Sequence, residues 1–137
     1  MIRYMLDTNM IAYAKNKRPE QVLQRLLQHE PSEISISAIT MAELEYGISH
    51  SSNPDRNRIA QMMYLSGITI LPCDENAAYE YGKIRQDLQS KGKLIGGNDM
   101  LIAAHARSLN LILVTHNVRE FERLEQLQLE DWARNIN

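Results

Sequence analysis

Strand-like runs at residues 2–6, 34–37, 68–71 and 111–114, apolar in the first and last, alternating Ile and Ser in the second and β-branched in the third, are separated by stretches in which apolar residues recur at helical spacing. Strands that alternate with helices specify an α/β fold whose central parallel sheet is covered on both faces. The first run ends in Asp7-Thr8-Asn9 and the last in Thr115-His116-Asn117. Open parallel sheets bind ligands outside the carboxyl ends of their strands, so both polar triplets fall where a site belongs. Asp7 is equally suited to capping a helix that starts near Asn9, and residue type alone leaves both roles open.

The intervening segments carry their own punctuation. A short helix over 10–14 breaks at Lys15-Asn16-Lys17-Arg18, and Pro19 suits the first turn of a helix over 20–28 with Val22, Leu23, Leu26 and Leu27 as its buried stripe. Thr40 or Ser37 caps a third helix containing Met41 to Gly47, and Asn53-Pro54 restarts a helix through Leu65. Asp74 caps the helix 75–90, where Ala78, Tyr81, Ile84, Arg85 and Leu88 share a face. The glycine-bearing loop 93–98 leads into a helix over 99–108. A short helix over 120–124 and an edge strand within 127–132 complete the chain.

At 137 residues, 44% apolar and 23% charged, the sequence fits a single globular domain spanning 1–137. It contains no apolar run of membrane-spanning length and no leader with the basic, apolar, small-residue order of a signal peptide, so the cytoplasm is the expected compartment. The lone Cys73 has no partner for a disulfide and reads as a small buried hydrophobe. A net charge of −2 supplies no global attraction for nucleic acid, although a local basic patch or a bound cation can still admit a phosphate. Two basic knots exist, Lys15-Lys17-Arg18 and Lys83-Arg85-Lys91-Lys93.

Asp7, Asp99 with Asn98, and Asn117 all fall where strand ends and helix starts should meet, and Glu43 lies on the helix after the second strand. Carboxylates gathered without a basic partner repel one another, so such a cluster is tolerated chiefly around a divalent cation. Oxygen ligands alone favour Mg²⁺ or Mn²⁺ over zinc. His29, His50, His105 and His116 are too scattered to make a zinc set.

Met5-Leu6-Asp7-Thr8-Asn9, Thr40 to Gly47, Lys93 to Asp99 with Ile102-Ala103, and Val114-Thr115-His116-Asn117 with Glu120-Phe121 occur in an order and at distances that resemble the PIN-domain ribonucleases, in particular the VapC toxins of toxin–antitoxin pairs. The resemblance runs from the first strand to Trp132. It implies a three-layer fold with a central, mostly parallel sheet, and a metal-dependent endoribonuclease that inhibits translation and growth. Asp7 and Asp99 are implied to be the metal ligands, Glu43 a third acidic member of the catalytic set, and Thr8 and Thr115 hydroxyls of the same pocket, beside Asn9 and Asn98. Where many members carry a fourth acid this chain has Asn117, so a second metal is held more weakly or Glu120 stands in. Helical phase leaves Glu43 and Glu45 as alternatives, with Glu45 the fallback. The resemblance further implies an RNA substrate such as initiator transfer RNA, a VapB-like antitoxin, operator DNA reached only through the antitoxin complex, and a homodimer. Ile11, Tyr13, Met62 and Met63 are candidates for those surfaces, and Lys93 or the Lys83/Arg85 pair for flanking phosphates.

Two other classes fit the pattern less well. A receiver-like phospho-acceptor module would need paired acids after the first strand and a lysine after the last, where this chain has Asp7-Thr8 and His116-Asn117. A catalytically inactive binding module on the same fold has Asn117 as its support.

Overall fold

A computed structural model describes residues 1–134 of the chain. Its elements are β1 (Tyr4–Leu6), α1 (Thr8–Asn16), α2 (Glu20–Leu27), a 3₁₀ turn (Pro31–Glu33), β2 (Ile34–Ser37), α3 (Ala38–Ser49), α4 (Pro54–Tyr64), β3 (Thr69–Leu71), α5 (Glu75–Ser90), α6 (Gly97–Ser108), β4 (Ile112–Val114), α7 (Val118–Phe121) and β5 (Leu129–Glu130). The five strands form one sheet in the order β3-β2-β1-β4-β5, and every pairing is parallel. The sheet is therefore wholly, not mostly, parallel, since even the terminal β5 joins β4 in the parallel sense.

Side-chain alternation on the central strand divides the interior into two cores. Tyr4 and Leu6 face a layer that includes Met10, Ile11 and Ala14 of α1, Val22 of α2 and Leu44 of α3. Met5 faces the opposite layer, with Ile84 and Leu88 of α5, Met100, Ile102 and Ala103 of α6, and Phe121 of α7. Helices thus cover both faces, which is why β1 and β4 read as apolar runs, while the serines of β2 are buried with the rest of that strand. The chain winds outward from β1 to β3 on one side and then returns to β4 on the other. This reversal opens a crevice beyond the carboxyl ends of β1 and β4. Leu6 is level with Val114 there, and the Asp7 amide donates to the Val114 carbonyl at 3.0 Å.

Several boundaries differ from those expected from the sequence, each for a local reason. The first strand occupies only 4–6, and α1 begins directly at Thr8 because Asp7 caps it, extending to Asn16 instead of spanning 10–14. Pro19 sits at the cap position of α2, ahead of its first turn. Ser37, not Thr40, caps α3 by accepting the Ile39 amide at 3.1 Å, while Thr40 is buried with no partner for its hydroxyl among the described residues. Ala77 rather than Ala78 turns inward on α5, and Leu27 of α2 is 74% exposed beyond the end of the core stripe. The last helix is Val118–Phe121 and the edge strand only Leu129–Glu130. Cys73 is half-exposed, since it follows the outermost strand β3, whose residues are largely uncovered. Of the four apolar residues offered as surface candidates, Ile11 is buried in the core and Tyr13 half-buried, whereas Met62 and Met63 are 65% and 74% exposed on α4. No helix among the described residues is long and apolar enough to cross a membrane.

Candidate active site

Asp7 caps α1 and at the same time stands at the carboxyl edge of the sheet. It leaves the buried end of β1 with only 4% exposure, and one of its oxygens accepts the Met10 amide at 2.9 Å to cap α1. Burial first, then the neighbouring carboxylates of Asp99 and Glu43, push its acid up to about 6, against the opposing pull of the Thr115 hydroxyl and the Met10 amide. Asp99 stands half-buried in the first turn of α6, which a short turn joins to β4, with Asn110 in the left-handed region at φ 56°. The short connection makes the helix run back along the strand, so its first turn overhangs the carboxyl edge. Burial, then Glu43 and Glu120, raise the Asp99 carboxyl as well. Gly96 caps this helix without a side chain, and a Cβ there would lie 3.6 Å from an Asp99 carboxylate oxygen.

Glu43 and Glu45 separate cleanly. The Thr8 hydroxyl donates to Glu43 Oε1 at 2.5 Å, fastening α3 to the start of α1 beside Asp7. Glu45, two residues on, is turned away and forms an ion pair with Arg58 of α4. Helical phase alone could not separate them because the deciding partners, Thr8 and Arg58, lie on other helices.

The segment after β4 supplies the far wall. Thr115 is buried, and its hydroxyl oxygen accepts the Asn117 amide at 3.0 Å. The Asn117 side-chain nitrogen in turn donates to Glu120 Oε2 at 2.7 Å. Asn117 therefore anchors a carboxylate that itself bears on Asp99. Asn9 and Asn98 are exposed on the first turns of α1 and α6, at the rim.

An all-oxygen donor set surrounds the crevice, and no Lys or Arg side chain pairs with Asp7, Asp99 or Glu43 among the described residues. Nor do any three His, Cys, Asp or Glu side chains among them close into a ready-made metal cage. That combination suits a cation which keeps several waters and takes only one or two protein carboxylates, the habit of Mg²⁺. Zinc, which wants four close ligands including nitrogen or sulfur, does not fit.

Sequence reading missed the link between the layers beneath the site. His105 on α6 is buried, and its Nδ1 lies 2.8 Å from the Ser37 hydroxyl that caps α3. Burial holds its imidazole below the ordinary value, against the opposing charge of Asp74. The hydrogen bond between this ring and the Ser37 hydroxyl ties the helix bearing Asp99 to the cap of the helix bearing Glu43. Asp74 itself caps α5, accepting amides from Asn76 and Ala77 at 3.1 and 3.3 Å, so both oxygen geometry and position serve the helix start.

A family model described as PIN domain matches residues 4–127. Ribonuclease VapC2 of Haemophilus influenzae is 46% identical over 133 residues, an alignment covering 97% of this chain and 100% of that protein. The tRNA(fMet)-specific endonuclease VapC of Salmonella typhimurium is 39% identical over 133 residues with the same coverage of 97% and 100%. Among solved structures, VapBC2 from Rickettsia felis bound to a DNA fragment from its promoter superposes with a TM-score of 0.87 at 41% identity, covering 96% of this chain and 99% of that one.

Proposed function

This chain belongs to the PIN-domain family, and on that premise we propose that it is a metal-dependent endoribonuclease, the toxin of a toxin–antitoxin pair, cutting transfer RNA. The observation that carries the reading is the buried Asp7 carboxylate beside Asp99 and Glu43, with no Lys or Arg paired to any of them among the described residues. Asp7 and Asp99 would hold Mg²⁺ or Mn²⁺. When bound, such an ion neutralises the crevice for an approaching phosphate and makes a coordinated water more acidic.

The chain's own residues do the remainder. Glu43, fixed by Thr8, is placed to orient the attacking water and take its proton. The Thr115 hydroxyl steadies Asp7, and Asn117 holds Glu120 toward Asp99, so that Glu120 supplies the fourth acid through an amide tether. The inactive-module alternative loses its one support, because Asn117 brings a carboxylate instead of merely lacking one. The receiver-like alternative is not favoured, because Thr8 stands where it needs a second acid after the first strand and His116-Asn117 where it needs a lysine after the last.

A VapB-like antitoxin is the proposed partner, with operator DNA contacted only in its complex, and a homodimer the proposed state. What supports the partnership is the likeness to a VapBC structure bound to promoter DNA. The reading is tested by incubating the purified, antitoxin-free protein with total transfer RNA. Cleavage is expected with Mg²⁺ or Mn²⁺ and none in excess EDTA, and equal cleavage in EDTA would overturn it. Thr8→Val removes the donor to Glu43 and should lower kcat by about 10- to 100-fold, the usual effect of losing a group that orients a site residue. An unchanged kcat would remove Glu43 from the role assigned here.

A further inference from the structure

We infer that the groove between the loop entering α6 and the end of α7 holds a backbone phosphate of the RNA strand next to the scissile one, with Lys93 and Arg119 as its cations. The inference rests on the ribonuclease reading above and adds to it a substrate-binding subsite. The groove, about 510 Å³, is lined by Gly92, Lys93, Leu94, Arg119, Glu122 and Arg123. Three of those side chains are cationic and one acidic, a local excess that the net charge of −2 conceals.

The cations differ in what they are free to do. Arg123 donates to the Lys93 and Leu94 carbonyls at 3.4 and 3.5 Å, which fixes one wall of the groove to the other. Lys93 and Arg119 are exposed and make no ion pair among the described residues. The other members of the basic knot that contains Lys93 are engaged: Lys83 with Glu80 at 3.5 Å, Arg85 with the Tyr81 hydroxyl at 2.8 Å, and Lys91 with Asp87 at 2.9 Å.

Both cations are close to the acids along the chain. Arg119 precedes Glu120, whose charge bears on Asp99, and Lys93 is three residues before Gly96, where an added Cβ would lie 3.6 Å from an Asp99 carboxylate oxygen. Three residues span at most about 11 Å, within reach of the next phosphates along a strand. A strand whose scissile phosphate sits at Asp7 and Asp99 thus meets positive charge as it leaves, where the acidic crevice alone would repel it.

The test is the double variant Lys93→Ala/Arg119→Ala. Neither side chain holds structure, so the fold is expected to persist. On an RNA hairpin, KM should rise about tenfold with kcat little changed, the mark of lost uniform binding. In an Asp99→Asn background that blocks turnover, anisotropy of a fluorescein-labelled hairpin should show the slope of log Kd against log salt flattened by roughly 0.7 per lost phosphate contact. Lys93→Arg/Arg119→Lys should restore both readouts. If the alanine variant keeps the wild-type KM and salt slope while the wild type cleaves RNA, the groove assignment is overturned. A wild type that cleaves no RNA at any Mg²⁺ or Mn²⁺ concentration overturns the ribonuclease reading and the groove with it.

Discussion

Asp99→Asn is expected to fold like the wild type and to cleave RNA slower by a factor on the order of a thousand, an effect the size of removing a principal electrostatic group from an active site. The fold persists because Asp99 is half-buried in the first turn of α6 and holds no helix cap; Gly96 occupies that position. Asparagine keeps the size and polarity of the side chain while deleting the charge a divalent cation needs. Asp7→Asn should match it in activity, since its oxygens face the same crevice. The check is a single-turnover assay on transfer RNA at saturating Mg²⁺, alongside circular dichroism to show the fold intact. Full activity in either folded variant would remove that carboxylate from the proposed metal pair. Asp99→Asn should also need more Mg²⁺ than the wild type to reach its reduced plateau, whereas Glu43→Gln should keep the wild-type Mg²⁺ dependence because it lacks only the group assigned to the water.

The placement of the candidate residues is local in origin for some and long-range for others. Asp7 and Asn117 follow short β-rich runs whose direction and burial are local properties, so their arrival at one sheet edge follows from the α/β pattern. Asp99 was legible as a helix-start residue after a glycine loop, and its convergence with Asp7 follows from the short return to β4. What stayed hidden depends on contacts between segments far apart in sequence. Glu43 is distinguished from Glu45 only by Thr8 and Arg58. The Ser37–His105 bond joins residues 68 positions apart, and a buried histidine on a helix gives no sign of it. Nothing in the sequence sets Arg119 and Arg123 beside Lys93; the turn at α7 does so. Cys73 was misjudged because a β-branched run does not reveal whether its strand lies at the centre or edge of a sheet.

In EDTA at pH 7.5, Asp7→Asn should be more stable than the wild type by about 3 kcal/mol, although it is inactive. The sign follows from the direction of the shift. Asp7 titrates near 3.8 when unfolded and near 6 when folded, so between those values the native state binds more protons than the unfolded one. Stability from this group is therefore full below about pH 4 and lost as pH rises through 6. Asp99 is raised too and acts in the same sense. His105, held low by burial, acts oppositely by favouring the native state as pH rises, but it is common to both proteins and cancels from their difference. Asparagine at position 7 has no charge to lose and keeps an oxygen for the Met10 amide, so the cap on α1 survives. The advantage should appear as a Tm higher by roughly 10 °C at pH 7.5 in EDTA and vanish near pH 4. Adding Mg²⁺ at pH 7.5 should then raise the wild-type Tm and leave the variant's unmoved, since an ion bound only to the native state stabilises only the protein that has its ligand. Equal melting of the two proteins in EDTA at pH 7.5 would mean that the crevice does not strain the Asp7 carboxylate. The electrostatic reason for placing a cation there would go with it.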